Sequence, residues 1–226
     1  MLDFDKEIAP IGGWLTKNEG IFLYESAKKV LDSHTIVEIG SWKGRSTICF
    51  GKGVKDGRNA TILAIDPHTG SSEHHKIFGK VDTFDEFISN IQRAGVDQFI
   101  KPIRERSEIT VRNFTGSIGF LLIDGSHDIL DVKTDYRLWF DKVVDKGIVA
   151  FHDSWSRIGP NIITARILLT SSQIKNPKLV DTLTVFEKCE KNSSLDRIKN
   201  ILFLIYKELS GWIGTLKIDY QGTVLK

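Results

Sequence analysis

Four short runs of this 226-residue chain carry acids, histidines and glycines in patterns that can do chemistry. They are Glu38-Ile39-Gly40-Ser41-Trp42-Lys43-Gly44-Arg45-Ser46, Asp66-Pro67-His68, Asp124-Gly125-Ser126-His127 and His152-Asp153. Carboxylates accept hydrogen bonds from paired hydroxyls and hold hard cations. Histidine moves protons near neutral pH. A glycine turn running into a helix lets a ligand approach backbone N–H groups at the helix start.

Spacing separates the classes that use such a turn. A dinucleotide fingerprint needs glycine where Trp42 stands, and a phosphate-cradling P-loop needs four residues between its glycines and then lysine. Here three residues separate Gly40 from Gly44, and Arg45 follows. Both phosphate readings fail. What remains is acid-x-Gly-x-x-x-Gly, with a further acid, Asp66, at the end of the next apolar run.

The elements that must position these residues are legible from their periods. Thr35–Ile39, Ala60–Ile65, Phe99–Ile103, Ile118–Ile123, Gly147–Phe151 and Leu179–Phe186 read as strands. Between them lie helical patterns. The first opens on Thr16-Lys17-Asn18-Glu19, the spacing of a capping box, and runs to about Asp32. Others span Gly44 to Gly53 and Asp82 to Ala94. A further helix carries Ile129, Val132, Tyr136, Trp139 and Val143 on one stripe, and another opens at Gly159-Pro160.

Strands alternating with helices predict an α/β, doubly wound, mainly parallel sheet, whose ligands bind at the carboxyl ends of the strands. Those ends are the four polar runs. A last stripe, Leu195, Ile198, Leu202, Ile205, Leu209, Trp212 and Leu216, predicts an amphipathic tail helix that Gly211 and Gly214 end early. The chain divides into 1–33, an N-terminal helical cap; 34–188, the sheet domain; and 189–226, the tail.

Composition bounds the partners. Hydrophobic residues are 41% and charged ones 27%, enough for a packed core. Lys plus Arg, 31, nearly balances Asp plus Glu, 29, for a net charge of +2, so a nucleic-acid partner is not expected. Two distant cysteines, an acidic amino terminus and no long apolar run predict a cytoplasmic protein with no transmembrane segment.

On the glycine turn and Asp66 the sequence resembles the class I S-adenosylmethionine (SAM) methyltransferases. The later runs, Leu121 to His127 and Gly147 to Asp153, resemble one subgroup, the small-molecule O-methyltransferases of the macrolide-sugar and catechol types. The resemblance spans about residues 12 to 188. It implies a Rossmann-like seven-stranded sheet and a SAM site at Glu38, Gly40, Ser41, Gly44, Ser46, Asp66, Ser107 and Asp124.

It further implies a divalent metal, Mg²⁺ first and Mn²⁺ second, on Asp124 and Asp153, with His152 where some relatives have an acid. His127, three residues after Asp124, stands where catechol-type relatives carry a proton-accepting lysine. His127 and Asp124 are therefore the expected catalytic residues. The expected acceptor is a small hydroxylated molecule such as a sugar or glycosylated metabolite. A SAM-binding module without turnover, or a metal-dependent hydroxylase on the same scaffold, are the alternatives, and a homodimer is the expected assembly. The loop from Pro67 to Lys80, with His68, His74 and His75, is expected to form a lid, and Trp14 and Trp155 are candidate pocket walls.

Overall fold

The computed structural model of the chain describes residues 2–71, 75 and 79–221, with side chains through 210; His74 lies outside the described residues. Its strands are β1 (Thr35–Ile39), β2 (Thr61–Ile65), β3 (Ile100–Ile103), β4 (Ile118–Ile123), β5 (Val143–Phe151), β6 (Ile174–Val180) and β7 (Leu183–Lys188). They form one sheet in the order β3-β2-β1-β4-β5-β7-β6. Pairings from β3 through β5 are parallel, while β7 runs antiparallel to both β5 and β6. The sheet is Rossmann-like and mainly parallel, as the alternation of elements predicts.

The period-two patterning explains why both faces are covered. Ile36, Ile62, Phe120 and Leu122 point into one core with Phe50 and Phe87. Val37, Ile39, Leu121 and Ile123 point into the other with Trp139 and Phe151. Helices α1 (Phe4–Glu7), α2 (Lys17–Ala27), α3 (Arg45–Asp56) and α4 (Phe84–Arg93) contribute to the first core. Helices α5 (Ser107–Thr110), α6 (Ile129–Trp139) and α7 (Ile158–Thr170) lie toward the second. Phe4, Ile8, Leu15 and Leu23 belong to the same cluster as Ile36 and Phe50, so the 1–33 segment shares the core of the sheet.

Three elements differ from the sequence expectation: Val143, expected on the stripe of α6, instead opens β5, which starts four residues before the expected Gly147. The single strand expected over Leu179–Phe186 is a hairpin: Val180 pairs with Leu183, and Asp181 turns the chain at φ 48°. Aspartate tolerates that left-handed conformation, so the run reverses without a glycine to mark it. The tail helix, α8 (Ser194–Gln221), continues past Gly211 and Gly214; glycine weakens a helix but does not by itself end one.

Helix α8 packs inward through Phe203 and Leu204, with the Asn200 amide donating to the Ile174 carbonyl at 3.2 Å. Leu195, Ile198, Leu202, Ile205 and Leu209 remain exposed on its outer side. Among the described residues no helix is long and apolar enough to cross a membrane.

Candidate functional site

Backbone hydrogen bonds continue past the strands and set their carboxyl ends side by side. The Gly40 N–H donates to Ile65 O at 2.9 Å, Asp124 N–H to Ile39 O at 2.8 Å, and His152 N–H to Ile123 O at 3.1 Å. The first residues after β1, β4 and β5 are therefore fixed against one another before any side chain acts. Above them opens a cleft of about 850 Å³, within the range of small-molecule sites.

One half of the cleft is built on the glycine turn. Gly40 has φ +88°, and a β-carbon on it would lie 2.2 Å from the Asp124 carbonyl oxygen, so only glycine lets the turn pass the end of β4. Gly44, at φ +91°, opens α3. Asp66 ties the turn together: Oδ2 accepts from Ser41 N–H at 2.9 Å and Trp42 N–H at 2.8 Å, and Oδ1 from His68 N–H at 2.6 Å. A carboxylate offers about four acceptor sites, so three N–H bonds leave room for a ligand hydroxyl. Ser41 and Ser46 also line the cleft, and the buried Ser41 Oγ has no partner among the described residues. An orphaned donor beside an incompletely used carboxylate fits the polar end of a nucleoside-bearing cofactor.

Glu38 is not part of that wall. It is fully buried beneath the turn, bonded to Thr47 Oγ1 and Ser46, and is absent from the cleft lining. Burial pushes its carboxyl up to about 8 despite those two hydroxyls. One oxygen braces β1 to the start of α3 through those hydroxyls, while the buried Oε1 has no partner among the described residues. Glu38 thus stands behind the cleft lining, one layer below Ser41 and Ser46. Ser107 does line the cleft, and its hydroxyl donates to Asp135, a residue the sequence reading missed. Burial raises the Asp135 carboxyl to about 6, against the pull of that bond. The signal was present: Asp135 interrupts the apolar face of α6, three residues after the buried Val132.

The other half gathers the acids and histidines. Asp124 Oδ1 lies 3.0 Å from His152 Nδ1, and Asp153 Oδ2 lies 3.7 Å from the same nitrogen. His127 Nε2 is 3.4 Å from Asp153 Oδ2, and Ser156 Oγ donates to Asp153 Oδ1 at 3.0 Å. Burial would raise the Asp153 carboxyl, but His127 and His152 hold it down to about 2. Burial wins at Asp124, whose carboxyl is raised even with His152 beside it. His152 is buried, which disfavours its charge, yet Asp124 and Glu19 lift it well above the usual imidazole range.

Glu19 is the second residue missed. The capping box forms as its spacing predicts, with Thr16 N–H donating to Glu19 Oε2 at 2.8 Å and Glu19 N–H to Thr16 Oγ1 at 3.2 Å. The same carboxylate reaches His152 Nε2 at 3.4 Å and accepts from Thr182 N–H at 2.8 Å and Thr182 Oγ1 at 2.6 Å. A partner 133 residues away leaves no local signature.

The metal implied by the resemblance is tested by its donors. A ligating imidazole turns one unprotonated nitrogen to the ion and donates its other N–H to a carboxylate or carbonyl. Both ring nitrogens of His152 face carboxylates, Asp124 on one edge and Glu19 on the other, so neither is turned to an open position. Among the described residues no group of three or more His, Cys, Asp or Glu is disposed to hold a metal ion. The arrangement does not fit the three-ligand site expected at Asp124, His152 and Asp153.

His68 is no part of a lid. It is 1% exposed, its Nδ1 lies 2.9 Å from Thr83 Oγ1, and its ring contacts Phe84 and Phe87. Trp14 lines the cleft with its ring centroid 6.0 Å from that of Trp42, whereas Trp155 donates to the Asp181 carbonyl at 3.0 Å and lies outside the lining.

Comparison with known proteins bears on the fold and the family. A family model described as a methyltransferase domain matches residues 37–154. A curated relative, the uncharacterized protein y4gI of Sinorhizobium fredii, is 28% identical over 147 residues. That match covers 64% of this chain but only 15% of the relative's length. The fold is similar to the O-methyltransferase NovP, with TM-score 0.63 and 14% identity, covering 76% of this chain and 80% of that one. It is also similar to the O-methyltransferase TomG of Streptomyces achromogenes, solved in complex with SAM. There the TM-score is 0.57 and the identity 12%, over 78% of this chain and 82% of that one.

Proposed function

The chain belongs to the methyltransferase domain family, and we propose that it transfers a methyl group from SAM to a hydroxyl of a small acceptor, such as a sugar or glycosylated metabolite. The observation that carries this reading is one cleft with two chemically different halves. The Gly40 turn with Asp66 and Ser41 lines one side, and His127 with Asp153 lines the other.

SAM supplies an electrophilic methyl: the acceptor oxygen forms a C–O bond to it as the S–C bond breaks, leaving S-adenosylhomocysteine. Asp66 accepts hydrogen bonds from the ribose hydroxyls while its N–H contacts keep the turn rigid. Ser41 donates or accepts at the polar end of the cofactor. Ser107 and Asp135 line the far part of the cofactor half.

An alcohol is a weak nucleophile and needs a base as the bond forms. His127 takes that proton. His127 meets Asp153 through Nε2 at 3.4 Å, and Asp153 stabilises the imidazolium that follows. Asp124 faces the reacting atoms from the end of β4. Trp14 offers a flat apolar face on which the ring of a sugar stacks, with its hydroxyls left to the polar wall.

Calorimetry tests the first half: SAM should bind and NAD should not. Turnover with a panel of sugars, polyols and phenols tests the second, read as S-adenosylhomocysteine formed. SAM binding with no turnover on any hydroxylated acceptor would favour a binding module and remove the transferase reading.

A further inference from the structure

We propose that His152, held from behind by Glu19, is itself the cation between Asp124 and Asp153, standing where a divalent metal would otherwise be needed. The inference takes from the transferase reading only the use of the cleft; the charge balance is a property of the chain.

Two carboxylates meet at the carboxyl ends of β4 and β5. Two carboxylates that share one buried site cannot both remain ionised without compensation. A shared proton, a bound metal or a protein cation can supply it. Here Nδ1 of His152 lies 3.0 Å from Asp124 and 3.7 Å from Asp153, so the positive ring edge is shared between them. On the far edge Nε2 meets Glu19 at 3.4 Å.

Ionised carboxylates only accept, so as an imidazolium with one on each nitrogen the ring donates from both edges and has no lone pair for a metal. The groups facing the cluster are Glu19 from α2, Asp124 after β4, His127 before α6, and His152 and Asp153 after β5. Arg157 at the start of α7 stands 4.0 Å from Asp153.

Glu19 is the positioning residue. Its side chain is 0% exposed and is fixed by three further donors, Thr16 N–H, Thr182 N–H and Thr182 Oγ1. It is therefore not free to turn away. The ring it meets has its other edge toward the aspartates. A carboxylate placed so deep and so firmly bonded is a fixed support and not a surface ion pair.

The test needs no acceptor and no turnover. Full-length chain, stripped with EDTA and dialysed, is titrated with Mn²⁺ and free ion is read by electron paramagnetic resonance. The wild type should leave all Mn²⁺ free at 1 mM, a concentration on the order of the weakest useful site. His152→Asp, which replaces the cation with a third carboxylate, should bind one Mn²⁺ per chain at least tenfold more tightly. Stoichiometric Mn²⁺ binding by the wild type would overturn the proposal, and so would an His152→Asp chain that folds but gains no affinity.

In case that variant does not fold, ¹⁵N-histidine NMR of the wild type decides alone. Both His152 nitrogens should carry protons at neutral pH, unbroadened by Mn²⁺; one unprotonated nitrogen that broadens would overturn it. Either failure leaves SAM binding untouched, so it is distinguishable from failure of the transferase reading.

Discussion

Gly159 packs so closely on the turn carrying His127 that a β-carbon there would stand 2.1 Å from the His127 carbonyl oxygen. The first turn of α7 thereby holds the proposed base from outside the cleft. Gly159→Ala must displace either the helix or the turn, because the clash is with backbone. A small misplacement of a reacting group costs rate more than binding. The expected outcome is turnover reduced at least about tenfold with SAM affinity changed less than about twofold, measured by steady-state kinetics beside calorimetry.

His127→Ala removes the base itself. Its turnover should fall by about 10²–10⁴, with SAM binding retained. Asp153→Asn keeps the shape of the pair but not its charge, and should also slow turnover. Full activity in His127→Ala would remove the assigned role.

Asp66→Asn replaces one acceptor oxygen with a donor facing the Ser41 and Trp42 N–H groups, or else the His68 N–H, depending on how the amide settles. Either orientation sets donor against donor and takes away the charge that suits a pair of hydroxyls. Hydrogen bonds to a charged group contribute about 1.5–3 kcal/mol each. SAM affinity should therefore drop by about 10- to 100-fold, while circular dichroism stays unchanged. An affinity within twofold of the wild type would take Asp66 out of the site.

The brace under the turn predicts a pH dependence. Burial raises Glu38 from 4.5 to about 8, so the folded chain holds a proton that the unfolded chain releases across that interval. The stability linked to this group is complete below 4.5 and is lost as pH rises through about 8. Its size is on the order of a few kcal/mol. Glu38→Gln, neutral throughout, should flatten the decline. Urea unfolding at acidic, neutral and alkaline pH should bring the two stabilities closer or reverse their order as pH rises; parallel curves would contradict the protonated brace.

The parts of this molecule that were legible are those written locally. The capping box from Thr16 to Glu19, the β-branched runs, and the polar residues just beyond them need no distant partner to be seen. The outlines of β1, β2, β4, α3 and α4 followed directly. Where the reading failed, a local pattern was compatible with two tertiary outcomes. His68 in a polar loop looked like lid material until Phe84 and Phe87 enclosed it. The Asp135–Ser107 and Glu19–His152 contacts join elements that only the fold brings together.

Glu19 has one further consequence, because the same carboxylate starts α2 and meets His152. Unwinding the first turn of that helix and dismantling the acid–histidine cluster are then a single cooperative event. A ligand that tightens the cleft will slow amide exchange at Lys17–Glu19, on the far side of the sheet from α6, without touching them. The chain's beginning is in this sense an effector arm of its own interior.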